Sequence, residues 1–260
     1  MYLPDTNCRL QAHRGVCSDA PENTMAAFRA AVEQGYDTIE LDPKVTADGI
    51  IVVLHDYTLN RTGRRAGAPL GDTKIDIRET NFASLADIDV GEWFDPRFAG
   101  EHIPTLSQVL AFARAARVEI KIDNVWQAFT AEQQNALFDV IEAHGGTVGV
   151  TATELPLLGR FAARFPRAPL HYDGEITPEV LDELAVMGKG HPVTVWAHMG
   201  TKLTAWSKLP AIDGARAADI KARGFSLGIW LLSEDEEMRE ALSLGADVVE
   251  TTGKIKPHQC

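Results

Sequence analysis

Short runs of β character recur along this chain with amphipathic helical patterns between most of them, and that alternation restricts the fold more than any other feature. The runs are Arg9 to His13, Thr38 to Asp42, Ile50 to His55, Val118 to Ile122, Thr147 to Thr151, Pro169 to Tyr172, Val193 to Ala197, Phe225 to Leu232 and Asp247 to Glu250. Helical spacing of apolar residues covers Thr24 to Gln34, Leu106 to Ala116, Ala131 to Ala143, Leu155 to Phe165, Pro178 to Met187, Ala215 to Arg223 and Asp235 to Leu244. Asn23 and Ser233 read as the caps of the first and last of these helices. Strands joined through helices lie parallel, because a helical crossover carries the chain back over the sheet.

One connection is different. Only seven residues separate Asp42 from Ile50, with an Asp48-Gly49 turn signal among them, too few for a parallel crossover. The spacing predicts an antiparallel hairpin after strand two that rises from the sheet and brings His55 back to its edge. Eight strands remain, which predicts a (β/α)8 TIM barrel, and 260 residues is an ordinary length for one such domain. An open doubly wound sheet would need a Gly-rich phosphate loop after its first strand, and Gly15 alone matches that poorly. No linker or internal repeat divides residues 1–260, so a single domain is expected. Residues 60–105 have few regular patterns and are expected to form a small cap insertion over one edge of the barrel mouth.

Barrel chemistry sits at the carboxyl ends of the strands, and several ionisable residues fall there. Strand one ends in His13 and Arg14, strand two in Glu40 and Asp42, and Glu119 with Lys121 is placed at the end of the fourth run. Glu40 and Asp42 share one face of their strand, about 7 Å apart. Three carboxylates converging on one mouth repel one another unless a cation lies among them, and an all-oxygen set suits Mg²⁺ or Ca²⁺, then Mn²⁺, ahead of zinc. The plainer alternative is that these acids pair with Arg or Lys. His13 and His55 have the pKa that general acid and base work needs. Arg14 offers a planar fork, and Lys121 a point charge, for phosphoryl oxygens. With no Ser-centred elbow and no Cys nucleophile in view, direct attack on phosphorus by water, or by a neighbouring substrate hydroxyl to give a cyclic phosphate, is favoured over a covalent intermediate.

A net charge of −12 argues against nucleic acid or an anionic membrane as partner, and it means that any phosphate-bearing small-molecule substrate must be drawn in by a local positive centre such as a metal or a few cations. Three cysteines, Cys8, Cys17 and Cys260, show no zinc-like spacing and read as free thiols. The first residues lack a basic segment followed by an apolar core, and no apolar run reaches the length of a membrane span, so the expected location is cytoplasmic. Composition says nothing of oligomeric state.

The order His13-Arg14-Gly15, Pro21-Glu22-Asn23-Thr24, Glu40-x-Asp42, Thr46-x-Asp48-Gly49, His55-Asp56 and Arg61-Thr62 resembles the glycerophosphodiester phosphodiesterase family. The resemblance implies that His13 and His55 are the acid and base pair. It also implies that Glu40, Asp42 and the Glu119 of Glu119-Ile120-Lys121 bind a divalent metal, and that Arg14 and Lys121 contact phosphate. Asp56 and Arg61 are read as braces of the His55 segment. The match extends through Ile103-Pro104-Thr105-Leu106 to Lys121 and thins beyond Asp123, where only Trp230 keeps the family's pattern.

Aromatic residues gather in that divergent half. Trp126, Trp196, Trp230 and Tyr172 fall at or near strand ends and Trp206 lies in the loop after Ala197, with His171, His198 and Lys202 nearby. They are read either as the edge of the core or as a pocket for a bulky leaving group such as the sugar of an agrocinopine-like opine phosphodiester. The overall expectation is a metal-dependent hydrolase of a small soluble phosphodiester. The rivals are a silent phosphodiester-binding barrel and a barrel lyase or isomerase that stabilises an enolate.

Overall fold

A computed structural model describes residues 7–72, 74–200 and 209–257. In chain order the strands are β1 (Arg9–Ala12), β2 (Thr38–Leu41), β3 (Pro43–Val45), β4 (Ile51–Val53), β5 (Arg64–Arg65), β6 (Ala68–Pro69), β7 (Glu119–Ile122), β8 (Val148–Ala152), β9 (Leu170–Tyr172), β10 (Val193–Ala197), β11 (Ser226–Leu232) and β12 (Val248–Thr251). The helices are α1 (Met25–Glu33), α2 (Leu106–Ala116), α3 (Ala131–His144), α4 (Leu155–Arg164), α5 (Pro178–Met187), α6 (Gly214–Ala222) and α7 (Asp235–Ser243). Strands β1, β2 and β7 to β12 close a parallel barrel in which β12 pairs back onto β1, and a helix covers each crossing between consecutive barrel strands.

The short connection after β2 is the antiparallel pair its length required: β3 and β4 join with Lys44 opposite Val52. Side-chain alternation splits this hairpin between two cores. Val45, Ile51 and Val53 join the main core between barrel and helices, whereas Val52 and Leu54 anchor a second cluster with Leu59, Ile77, Leu85, Ile88, Val90 and Ile103. Residues 60–105 thus fold over the outer face of the hairpin. They reach the β1–α1 loop, where Arg97 donates to the Asp19 carbonyl, and the first turns of α1, where Glu101 accepts from the Ala26 amide and from Arg29.

Two expected caps fall elsewhere. Thr24, not Asn23, caps α1, its hydroxyl accepting from the Ala27 amide at 3.3 Å. The cap of α7 is Glu234 rather than Ser233, and Glu237 accepts from the amides of both. Elsewhere Thr105, Thr130, Thr177 and Asp213 hold helix starts as side-chain acceptors. Among the described residues no helix is long and apolar enough to cross a membrane.

The barrel interior is polar and crowded. Alternation along each strand turns Leu10, Ile39, Leu41 and Ile120 outward to the helices, and Gln11, Glu40, Lys121, His171, Trp196 and Glu250 inward. Two glycines make room for the large rings. A Cβ on Gly228 would lie 2.6 Å from the Trp196 ring, and one on Gly149 would lie 2.7 Å from the His171 imidazole. Gly228→Ala is therefore expected to overpack the interior and cost about 1–3 kcal/mol in urea denaturation, against a surface Gly214→Ala control near zero.

The insertion carries its own electrostatic anchor. Buried Asp76 accepts from the Arg78 guanidinium at 2.7 and 3.0 Å and from its backbone amide at 3.1 Å. The Arg78 hydrogen bonds first, and its charge with that of Lys74, hold the Asp76 carboxyl at about 2. A lowered folded pKa means stability that is complete above the unfolded value of 3.8 and is lost as pH falls toward 2. The stability gap between the parent and Asp76→Asn, read by thermal melting, should be constant above pH 5 and shrink across pH 4 to 2.

Candidate active site

The carboxyl ends of the barrel strands bring together a dense set of buried charges. His13 follows β1, Glu40 and Asp42 close β2, Asp123 follows β7, Asp173 follows β9, and Glu250 lies in β12. One ligand atom from each of His13, Glu40 and Glu250 lies within 4.8 Å of the others, which makes them the candidate metal centre among the described residues. Glu250 was not singled out in the sequence. Its signal is positional: strand register sets it beside Gln11 on β1, two residues before His13.

Burial and repulsion explain the state of this cluster. Burial first, then Asp42, Glu250 and Asp123, push the Glu40 carboxyl well above the usual carboxylate range. Burial and Asp42 also raise the Asp123 carboxyl, and burial, against Lys121 and a Trp230 hydrogen bond, lifts Asp173 to about 7. Burial lowers the His13 imidazole despite Glu250, and the His13 Nδ1 atom is buried without a hydrogen-bond partner. Such a set is short of positive charge, and two carboxylates with an unpartnered imidazole nitrogen suit a divalent ion.

Protein cations supply part of the balance. Lys121, opposite Glu40 in the β2–β7 pairing, is 5 % exposed and lies 4.2 Å from the Trp196 ring centroid. Burial opposes its charge, but Glu250, Glu40, Asp123 and Asp173 outweigh that and hold its pKa above the ordinary value. Arg14 takes a left-handed backbone (φ 56°) that turns its amide onto Glu40 at 2.9 Å, while its guanidinium reaches Asp42 at 3.4 Å and Glu22 at 3.2 Å. Lys44, on β3, was missed in the sequence: its ammonium is buried without a hydrogen-bond partner, 5.2 Å from the Tyr57 ring centroid. Burial lowers its pKa against the pull of Asp42, Asp123 and Glu40.

Asp42 differs from Glu40 in being clamped by the protein. Asn23 donates to it at 2.8 Å, and Arg14, Lys44 and His55 join in keeping its carboxyl low against burial. The residue read as a helix cap is therefore an Asp42 clamp, and its φ of 56° is a conformation that Asn tolerates better than most side chains. From Asp42 a chain of ion pairs runs outward. Arg14 meets Glu22, Glu22 accepts from Arg61 at 2.6 and 3.0 Å, Arg61 donates to Asp56 at 2.7 Å, and Asp56 contacts His55 Nδ1 at 2.6 Å. Asp56 and Arg61 thus brace His55, as their sequence position suggested.

Other expected site residues lie elsewhere. Glu119 begins β7 rather than ending it, opposite Thr38, one inward layer below Glu40. It pairs there with Arg9 at 3.4 Å and His171 at 3.6 Å, so it does not join the mouth cluster. Trp196 is 1 % exposed, its indole donating to His171 Nδ1 at 3.1 Å, and it is packed as a plug rather than as a platform for a sugar. Tyr172 alternates outward into the helix layer and donates to the Glu175 carbonyl at 3.2 Å, and Trp126 is wholly buried on the Thr151 carbonyl. Trp230 keeps partial exposure and donates to Asp173 at 3.1 Å, with the buried His198 ring 5.4 Å away. Lys202 and Trp206 lie outside the described residues.

A sequence profile of the glycerophosphoryl diester phosphodiesterase family matches residues 13–251. The chain is 43% identical over 98 residues to a glycerophosphodiester phosphodiesterase of Caldanaerobacter subterraneus, covering 38% of this chain and 37% of that one. It is 38% identical over 120 residues to bovine (Bos taurus) glycerophosphodiester phosphodiesterase 1, covering 46% of this chain and 34% of that one. Alignments span about half or less of the curated relatives' lengths. In structure the chain resembles an Oleispira antarctica phosphodiesterase solved with the product sn-glycerol-3-phosphate, with a TM-score of 0.78 at 23% identity over 95% of this chain and 93% of the other. At that identity the likeness is one of fold.

The Asn23 clamp is testable by stability. Asn23→Gly keeps the backbone conformation and removes the bond to a buried carboxylate, so a loss of about 1.5–3 kcal/mol is expected in chemical denaturation. Asn23→Ala, which adds left-handed strain, should lose more.

Proposed function

Since the chain belongs to the glycerophosphoryl diester phosphodiesterase family, we propose that it hydrolyses a phosphodiester of glycerol or a similar small alcohol at the barrel mouth. The observation that carries this reading is the convergence of His13, Glu40 and Glu250 beside the half-buried Arg14 and the buried Lys121. A silent binding barrel would have no use for two imidazoles at a charged mouth. An enolate-forming lyase would have no use for cations suited to phosphoryl oxygens.

Glu40 and Glu250 would hold a divalent ion of the Mg²⁺, Ca²⁺ or Mn²⁺ class, Asp42 supports them from its clamp, and His13 stands beside the ion with its ring left for proton transfer. When bound, that ion supplies charge stabilisation to a phosphoryl oxygen. The remaining work falls to this chain's own groups. Arg14 and Lys121 attract and orient the phosphate in a protein whose net charge would otherwise repel it. Asp56 accepts from His55 Nδ1, which fixes the tautomer and leaves Nε2 as the proton acceptor for an attacking water or substrate hydroxyl. His13 is assigned the proton returned to the leaving alcohol oxygen.

Hydrolysis of glycerophosphocholine and of bis(p-nitrophenyl) phosphate tests the reading. EDTA should abolish turnover of both and added Mg²⁺, Ca²⁺ or Mn²⁺ should restore it. His13→Ala and His55→Ala should each reduce kcat by about 10²–10⁴-fold. Turnover that survives the chelator and both substitutions would overturn the mechanism.

A further inference from the structure

One side chain inside the barrel is polar without a visible reason. Gln11 lies on β1 between Leu10 and Ala12, which face the helices, so alternation turns it inward. It is wholly buried, yet neither the nitrogen nor the oxygen of its carboxamide has a hydrogen-bond partner. Stripping both ends of an amide of water is costly when nothing replaces the water. A leucine or methionine would fill the same place without that cost.

The surroundings account for the amide. In a staggered barrel of eight strands, inward side chains from alternate strands meet in levels. The strand pairings put Gln11, Lys121, His171 and Gly228 on one level, with Glu40, Thr151, Trp196 and Glu250 on the next toward the mouth. Gln11 also pairs in register with Glu250 on the neighbouring β12, at a strand spacing of about 4.8 Å. His171 is already committed: its Nδ1 accepts from Trp196, so Nε2 carries the proton, and it faces Glu119 at 3.6 Å. Two charged groups remain beside Gln11, the Glu250 carboxylate and the Lys121 ammonium. Burial opposes the Lys121 charge and Glu250 leads the carboxylates that sustain it, so this acid and this base act on each other where Gln11 sits. A carboxylate can only accept and an ammonium can only donate, and a carboxamide serves both.

Resting on the cation site described above, we propose that Gln11 is a positioning residue for that site. With an ion bound, its NH₂ donates to Glu250 and its carbonyl accepts from Lys121. The hydrogen bond holds the Glu250 carboxylate ionised and fixed in orientation, as partners of metal-binding carboxylates do. The neutral amide between them also keeps Lys121 from pairing with Glu250 directly, which leaves the acid's charge to the ion and the ammonium's to phosphate.

Titration with Mn²⁺, read by the EPR signal of the free ion, tests the proposal without reference to turnover. Gln11→Met keeps the length of the side chain and removes both polar ends, so Mn²⁺ should bind it about 10- to 100-fold more weakly than it binds the parent. Urea stability in EDTA should stay level or rise, because an unpaired buried amide has been exchanged for an apolar group of similar shape. Gln11→Leu should behave alike and stands in if the methionine variant does not fold. A merely structural role would do the reverse, lowering stability in EDTA and leaving the Kd for Mn²⁺ where it was. An unchanged Kd in either folded variant overturns the role of Gln11 and leaves the cation site standing. A parent protein that binds no Mn²⁺ overturns the cation site and this role with it.

Discussion

The mouth of this barrel depends on holding like charges together away from water. Glu40, Asp42, Asp123, Asp173 and Glu250 meet there, against the buried cations Lys44 and Lys121 and the half-buried Arg14. Carboxylates at such distances in a low-dielectric setting would spread apart or take up protons without compensation. The chain solves the problem in two ways. Asp42 is pinned by Asn23 and Arg14, so it stays ionised, whereas Glu40 and Glu250 keep ligand atoms within reach of His13 for a charge from outside.

The same constraint accounts for the architecture around the site. A hairpin in place of a crossover after β2 lets Lys44 and the His55 segment come back to the mouth, and the insertion of residues 60–105 packs a second core on its outer face. Arg61, from that insertion, ties His55 through Asp56 to Glu22 and so to the β1–α1 loop. Proton-transfer geometry at His55 is therefore set by a network spanning three segments, none of which would hold the ring alone. Below the mouth, Gly149 and Gly228 let His171 and Trp196 fill the interior, which gives the charged layer a rigid floor.

Much of this was readable from the chain itself. Alternating runs and the seven-residue connection were enough for the barrel and its hairpin, since both follow from local periodicity and chain reach. The placements of His13, Glu40 and Asp42 followed from strand ends that happened to be sharply marked. Glu119 went astray because Glu-x-Lys sits on an apolar run whose end is ambiguous, and a shift of two residues along a strand moves a side chain about 7 Å deeper. Tyr172 and His171 show the complementary error: neighbours on a strand face opposite ways, and parity cannot be assigned before register is known. Glu250 and Lys44 were invisible for a different reason. Their partners come from distant segments, and no local pattern marks a residue whose role is created by closure of the barrel.

The central claim is that Glu250, rather than Glu119, completes the cation site with Glu40 beside His13. Thermal melting with and without millimolar Mg²⁺, Ca²⁺ or Mn²⁺ tests it directly, because an ion that binds only the folded chain raises Tm by mass action. The account predicts a rise in the parent protein that persists in Glu119→Gln and disappears in Glu250→Gln and Glu40→Gln. A rise that disappears in Glu119→Gln and survives in Glu250→Gln would contradict it.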